Sequence, residues 1–141
     1  MSASYDLRRF VRAQAGVYPR ALAELQAGEK TTHWIWFIFP QVEGLGDSTN
    51  ARLYGITGRS EAEAFCEHEI LGERLQECTR AVLDWSGERT LVQIMGVIDA
   101  MKFRSSMTLF ESCCDDETLF ARALDEMCDG VRDKVTLEKL S

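Results

Sequence analysis

The chain reads as an all-α protein, and three observations lead there. Apolar residues recur at helical spacing along most of its 141 residues. Glycines and capping residues punctuate that period where helices should begin and end. Alternation with a period of two is scarce, so strands find little support. The expectation is a single domain over residues 1–141 with about seven helices around one core.

Leu7, Phe10, Val11 and Gln14 share one face of a first helix, and Gly16 suits its stop. Pro19 fits the first turn of a second helix, where its missing N–H is not needed. Leu22 and Leu25 give that helix a buried stripe, and Gly28 suits the left-handed position after its end. The aromatic run WIWFIF at 34–39 has strand-like composition but helical neighbours, so a short helix or irregular buried segment is preferred. Residues 41–50 hold Gly44, Gly46, Asp47 and Ser48 and read as a loop.

Ser60-Glu61-Ala62-Glu63 has the capping-box pattern and should open a third helix. Leu71, Leu75, Cys78 and Val82 follow as the clearest amphipathic stripe, ended by Gly87. Phe103, Met107 and Phe110 mark another helix. Leu119, Phe120, Ala123, Leu124 and Met127 mark the next, with Asp115 or Asp116 as cap and Gly130 as stop. A short helix from Asp133 closes the chain.

Hydrophobic residues at 45% and charged residues at 28% are ordinary for a globular protein. A chain this long buries about 65–70% of its unfolded surface, enough for a core without disulfides or metal. The net charge of −7 opposes general binding to nucleic acid, whose phosphates would meet a repulsive field. Charge is uneven: residues 1–40 carry +2 and residues 41–141 carry −9. Within the acidic part, the only charges between Asp99 and Glu111 are Lys102 and Arg104. Such a local basic spot can receive a small anion.

The first six residues, MSASYD, lack a basic stretch followed by an apolar one, so no secretory leader is read. The longest apolar run is far short of the roughly 20 residues a spanning helix needs. A cytoplasmic protein without membrane association is therefore expected. Five cysteines, an odd count with no C-x-x-C, point to reduced thiols. At Cys113-Cys114 one buried and one half-exposed thiol at a helix end is preferred over a redox-active pair. His33 and His68 are not spaced as a zinc pair, and neither metal nor cofactor is expected.

Two stretches carry the chemistry. In the first, HWIWFIFPQ at 33–41, Trp34 and Trp36 offer flat surfaces able to stack a base or nicotinamide ring. His33 can move a proton near neutrality, and Gln41 can donate an amide hydrogen bond. In the second, residues 99–108, Asp99, Lys102, Ser105 and Ser106 come within reach of one another on a helix. Arg104 adds a second cation for phosphate. The competing reading makes the aromatics core and Asp99 a helix cap, with Lys102 solvated. Glu24, Glu43, Asp47, Asp99 and Glu111 are the acids near these stretches, and spacing alone does not say which two converge.

These same stretches carry a resemblance. HWIWFIFPQ, Gly44-Leu45-Gly46, Ala51, Tyr54, the run HEILGERL at 68–75, Gly96, Asp99, Lys102 and SSMTLF at 105–110 resemble the uncharacterised family called domain of unknown function 1810. The likeness runs from about Phe10 to Leu140, nearly the whole chain. It implies a compact helical fold and no established activity. The calpastatin-like label some members carry does not suit this composition, because calpastatin segments are disordered. His68-Glu69 stands where the family commonly has His-Pro. A looser, fold-level likeness links the chain to small helical enzymes that remove ADP-ribose from modified bases.

The expected function is binding, with hydrolysis as a further step, of a small nucleotide or ADP-ribose-like ligand between the two stretches. Trp34 or Trp36 would stack the base, and Lys102 with Arg104 would hold phosphate. Gln41, Ser105 and Ser106 would add polar contacts. As an enzyme it would use Asp99 or Glu24 to activate water, and His33 or Lys102 to assist the leaving group. The alternatives are a non-catalytic binding module and a protein-interaction domain with exposed aromatics.

Overall fold

A computed structural model describes residues 5–115 and 118–141. Among them lie nine helices and no strand: α1 (Arg8–Gln14), α2 (Tyr18–Ala27), α3 (Ile35–Ile38), α4 (Thr49–Leu53), α5 (Arg59–Glu67), α6 (Glu69–Leu83), α7 (Leu91–Cys113), α8 (Thr118–Met127) and α9 (Lys134–Leu140). The all-α class holds, with two helices more than expected, while α3 is the preferred reading of the aromatic run. One addition comes from the single helix expected between Ser60 and Gly87, which is divided at His68 into α5 and α6. The other, α4, forms inside the segment read as a loop, capped by the Ser48 side chain, which accepts from the Ala51 N–H. It buries no residue, so it leaves no apolar stripe to detect.

The two longest helices make the scaffold. The amphipathic stripe on α6 is buried as its spacing requires, at Leu71, Leu75, Cys78 and Val82. Helix α8 packs against both α6 and α7, α5 bridges the same pair, and α2 lies on α6. Seven aromatics are almost wholly buried between these layers: Phe10, Trp34, Phe39, Phe65, Phe103, Phe110 and Phe120. Phe39 meets Phe103 edge-on at 4.9 Å, joining the aromatic segment to α7. Phe10 meets Phe65 edge-on at 5.1 Å. Such geometry suits the ring quadrupoles and adds to the gain from burial.

Helix ends follow local chemistry. Gly28 takes φ 72°, as expected, and its N–H closes onto α2. A side chain there would also strike the Trp85 ring, with 2.8 Å to the nearest carbon. The Ser60 capping box does not form. Helix α5 starts at Arg59 with no side-chain cap, and Glu61 instead accepts from Thr57 N–H (2.8 Å) and pairs with Arg9 (2.9 Å). Gly58 takes the cap position, so Ser60 lies inside the first turn and Glu63 has no cap to reach back to. A complete capping box does form at Thr90 and Gln93, opening α7. His68, at the family departure, caps α6 by accepting at Nδ1 from Ile70 and Leu71 N–H. Asp133 caps α9. Of the two cap residues expected for α8, Asp116 lies outside the described residues.

The thiol expectation is corrected. Cys66, on α5, and Cys114, just past α7, are joined as a disulfide across 48 residues, with Cα atoms 5.9 Å apart. Cys78, Cys113 and Cys128 are free and buried. Among the described residues no helix is long and apolar enough to cross a membrane.

Candidate functional site

Helix α7 is broken once. Gly96 has φ 86° and ψ 165°, a conformation few residues with a side chain adopt. A new helical segment starts after it, and Asp99 falls in that segment's first turn. The carbonyl of Ile94, beside the break, accepts the Lys30 backbone N–H at 2.7 Å. The Lys30 ammonium reaches Asp99 at 2.7 Å and lies 4.8 Å from the centre of the Trp34 ring. Residues 28–34 are thus tied to the break by main chain and side chain together.

Glu24 completes this latch. One carboxylate oxygen accepts from Thr31 N–H (2.9 Å), Thr32 N–H (3.1 Å) and Trp34 Nε1–H (2.9 Å). The other accepts from the Thr32 hydroxyl at 2.6 Å. Burial alone would raise its pKa, but the hydrogen bonds from Thr32, Trp34 and Thr31 outweigh it and hold the acid near 2. Glu24, Asp99 and Trp34 therefore serve one another. Trp34 is wholly buried, with no open face for stacking. Glu24 and Asp99 are committed to internal donors.

The second turn of the restarted helix builds a different place. Lys102, Ser105, Ile98 and Met101 line a crevice of about 550 Å³ together with Gln41, Leu45, Gly46, Asp47, Ser48, Ala51, Asp133 and Val135. The two chemistry-bearing stretches do meet here. Gln41 is fixed because its carbonyl accepts from Ile56 N–H at 2.8 Å, part of an isolated parallel bridge beside it. The Lys102 ammonium lies 5.0 Å from the Trp36 ring centre. Trp36 and Gln41 share a small adjoining recess with Tyr54 and Asn50. Ser105 donates to Asp133 Oδ2 at 2.9 Å, and Thr136 donates to the same oxygen.

The remaining expected residues scatter. Ser106 is buried in the core with its hydroxyl unpartnered. Arg104 turns to the opposite side of α7, into a separate cavity. His33 is exposed and lines neither cavity. Glu111 is held by Arg132 at both oxygens, at 3.0 and 2.6 Å. Asp47 and Asp133 are the acids at the crevice, and Asp133 was legible only as a helix start.

The rest of the reactive inventory is quiet. Burial pushes the Cys78 thiol up to about 12 and Cys128 up to about 11, and raises Cys113 as well. None of the three is poised as a thiolate nucleophile. Among the described residues no three His, Cys, Asp or Glu side chains converge as a metal-binding set.

Residues 4–140 match the family described as Protein of unknown function (DUF1810). The chain belongs to this family. It is similar to a conserved hypothetical protein, Rv1873 of Mycobacterium tuberculosis, known from a crystal structure at 1.38 Å. The two are 44% identical, align over 96% of each chain and superpose with a TM-score of 0.93. No curated protein matches the chain.

Proposed function

We propose that the protein binds a small oxygen-rich anion of nucleotide type in the crevice of Gln41, Lys102 and Asp133. One observation carries this reading. The Trp36 indole N–H is buried without a partner, and the Lys102 ammonium lies 5.0 Å from the centre of that tryptophan's ring with no acid within 4.0 Å among the described residues. A dry donor and a free cation this near each other ask for an acceptor. A phosphate at Lys102 would supply one. The apolar wall of Leu45, Ile98, Met101 and Val135 suits a flat ring, and Gln41 suits its polar edge.

Asp133 extends the reading to hydrolysis of a glycosidic bond. Its Oδ2 is taken by Ser105 and Thr136, while Oδ1 accepts no hydrogen bond from the described residues. That oxygen is free to take a proton from an attacking water, the role first expected of Asp99 or Glu24. The protein-interaction reading has its own support, because Val97, Ile98 and Met101 are all at least 60% exposed on one turn.

A thermal-shift series separates the two. Wild type and Lys102→Ala are tested against ADP-ribose, NAD, mononucleotides and simple anions. A ligand at 100 times its Kd adds about 2.7 kcal/mol of stability. A shift seen in wild type and lost in Lys102→Ala supports the crevice, and release of product from that ligand then tests Asp133 through Asp133→Asn. No shift with any member, both proteins being folded, transfers the weight to the exposed ridge.

A further inference from the structure

A second cavity lies beside the crevice, with Arg104 in place of Lys102 as its α7 cation. It measures about 700 Å³ and is lined by residues 87–93, the restarted part of α7 and the end of α8. That volume falls in the range of small-molecule sites. Its cations are Arg89 and Arg104, brought together from positions 15 residues apart. Each guanidinium is anchored at one end by a main-chain carbonyl: Arg89 Nη2 on Gln93 (3.1 Å) and Arg104 Nη2 on Cys128 (3.5 Å).

The other ends are unsatisfied. Four side-chain nitrogen or oxygen atoms among the described residues are buried without a hydrogen-bond partner, and two of them are the Nε atoms of these arginines. Glu88, Glu126 and Asp129 line the same cavity, yet none lies within 4.0 Å of either guanidinium, and Glu126 is paired with Arg122. Two half-buried guanidiniums thus each keep a buried N–H unpartnered, with acids nearby and no acid engaged. Burial of an unpaired charged N–H is costly, and a planar oxyanion is the group whose geometry a guanidinium matches. The intervening walls are apolar, formed by Leu91, Val97, Met101 and Met127.

We propose that this cavity is a second ligand site, one that takes a carboxylate or phosphate carried on an apolar body, with Arg89 and Arg104 receiving the oxyanion. The site adjoins the crevice through Met101, which lines both, but its cations are separate, because Arg104 and Lys102 leave α7 toward different cavities.

Calorimetric titration with phenyl phosphate, phenylacetate and inorganic phosphate tests it, on wild type, Arg89→Gln, Arg104→Gln, Met127→Asp and Lys102→Ala. Melting curves first confirm that each variant folds. Met127→Asp leaves both arginines in place and sets a repelling carboxylate on the apolar wall. The expected result is binding of an aromatic anion at least tenfold tighter than inorganic phosphate. That binding should weaken at least tenfold in the arginine and Met127 variants and stay unchanged in Lys102→Ala. Which aromatic anion binds more tightly identifies the oxyanion. Loss in Lys102→Ala with no change in the arginine variants would place the anion in the crevice and overturn the second site. Loss in both sets would make the two cavities one site and overturn it as well. So would the absence of binding by wild type at millimolar ligand.

Discussion

Two regions on α7 use the same residue types to opposite ends. Around the break, Trp34, Lys30, Asp99 and Glu24 bind one another: the indole N–H, the Lys30 ammonium, both Glu24 oxygens and one Asp99 oxygen meet partners within the protein, and the tryptophan is sealed. One turn further on, Trp36, Lys102 and Asp133 keep unused capacity. An indole N–H lacks an acceptor, an ammonium lacks an acid, and one carboxylate oxygen lacks a donor. A Trp, a Lys and an acid do not make a site by being present. Unmet hydrogen bonding beside an opening separates the candidate site from the scaffold.

Substitutions can break or sharpen that contrast. Trp34→Ala should cost about 3–5 kcal/mol of unfolding free energy, as large-to-small changes of sealed aromatics do. Trp36→Ala should cost clearly less by the same denaturant titration. Equal costs would erase the distinction between the two indoles. Reduction of Cys66–Cys114, a crosslink across 48 residues that belongs to neither region, should cost about 4 kcal/mol on the loop-entropy account. Melting with and without reductant measures it, and Cys66→Ser should abolish the reductant effect while leaving ligand binding at the crevice intact.

Glu24→Gln should cost about 2–3 kcal/mol, because a buried anion accepting several hydrogen bonds is replaced by a neutral group. The pH dependence has a definite sign. The Glu24 carboxyl sits near 2 when folded against an ordinary 4.5. Its stabilisation is therefore complete above about pH 4.5 and is lost as pH falls toward 2. Acid titrations of wild type and Glu24→Gln should converge across that window, and parallel curves would remove Glu24 from the latch. Lys102→Ala should change stability by at most about 0.5 kcal/mol while removing binding at the crevice. A large loss of stability there would turn Lys102 into scaffold.

Much of the fold was legible because its signals are local. The α6 stripe spans four turns, and Gly28 stands where a helix must end. Helix α4 was not legible, since five residues that bury nothing leave no period to read. The break at Gly96 was hidden by apolar residues that continue on both sides of it. At the site, Lys102, Gln41, Trp36 and Ser105 could be named from residue type and proximity in sequence. Glu24 and Asp133 could not be sorted. Each is an acid near polar residues, and only the tertiary structure delivers four donors to the first and leaves an oxygen of the second open. Arg89 and Arg104, 15 residues apart, meet at one cavity only in the tertiary structure.

The break in α7 also resets an angular clock. In an unbroken helix each residue advances by about 100°, so the direction of every side chain follows from the first turn. The capping box at Thr90 would then dictate where Lys102 points. Gly96 cuts that dependence, and residues 97–113 take their orientation from the aromatic layer and from Asp99 on Lys30. A substitution in the opening turn of α7 can therefore alter how firmly the helix starts without turning Lys102 away from the crevice. Restoring helical geometry at residue 96 would rotate both cavities' linings at once.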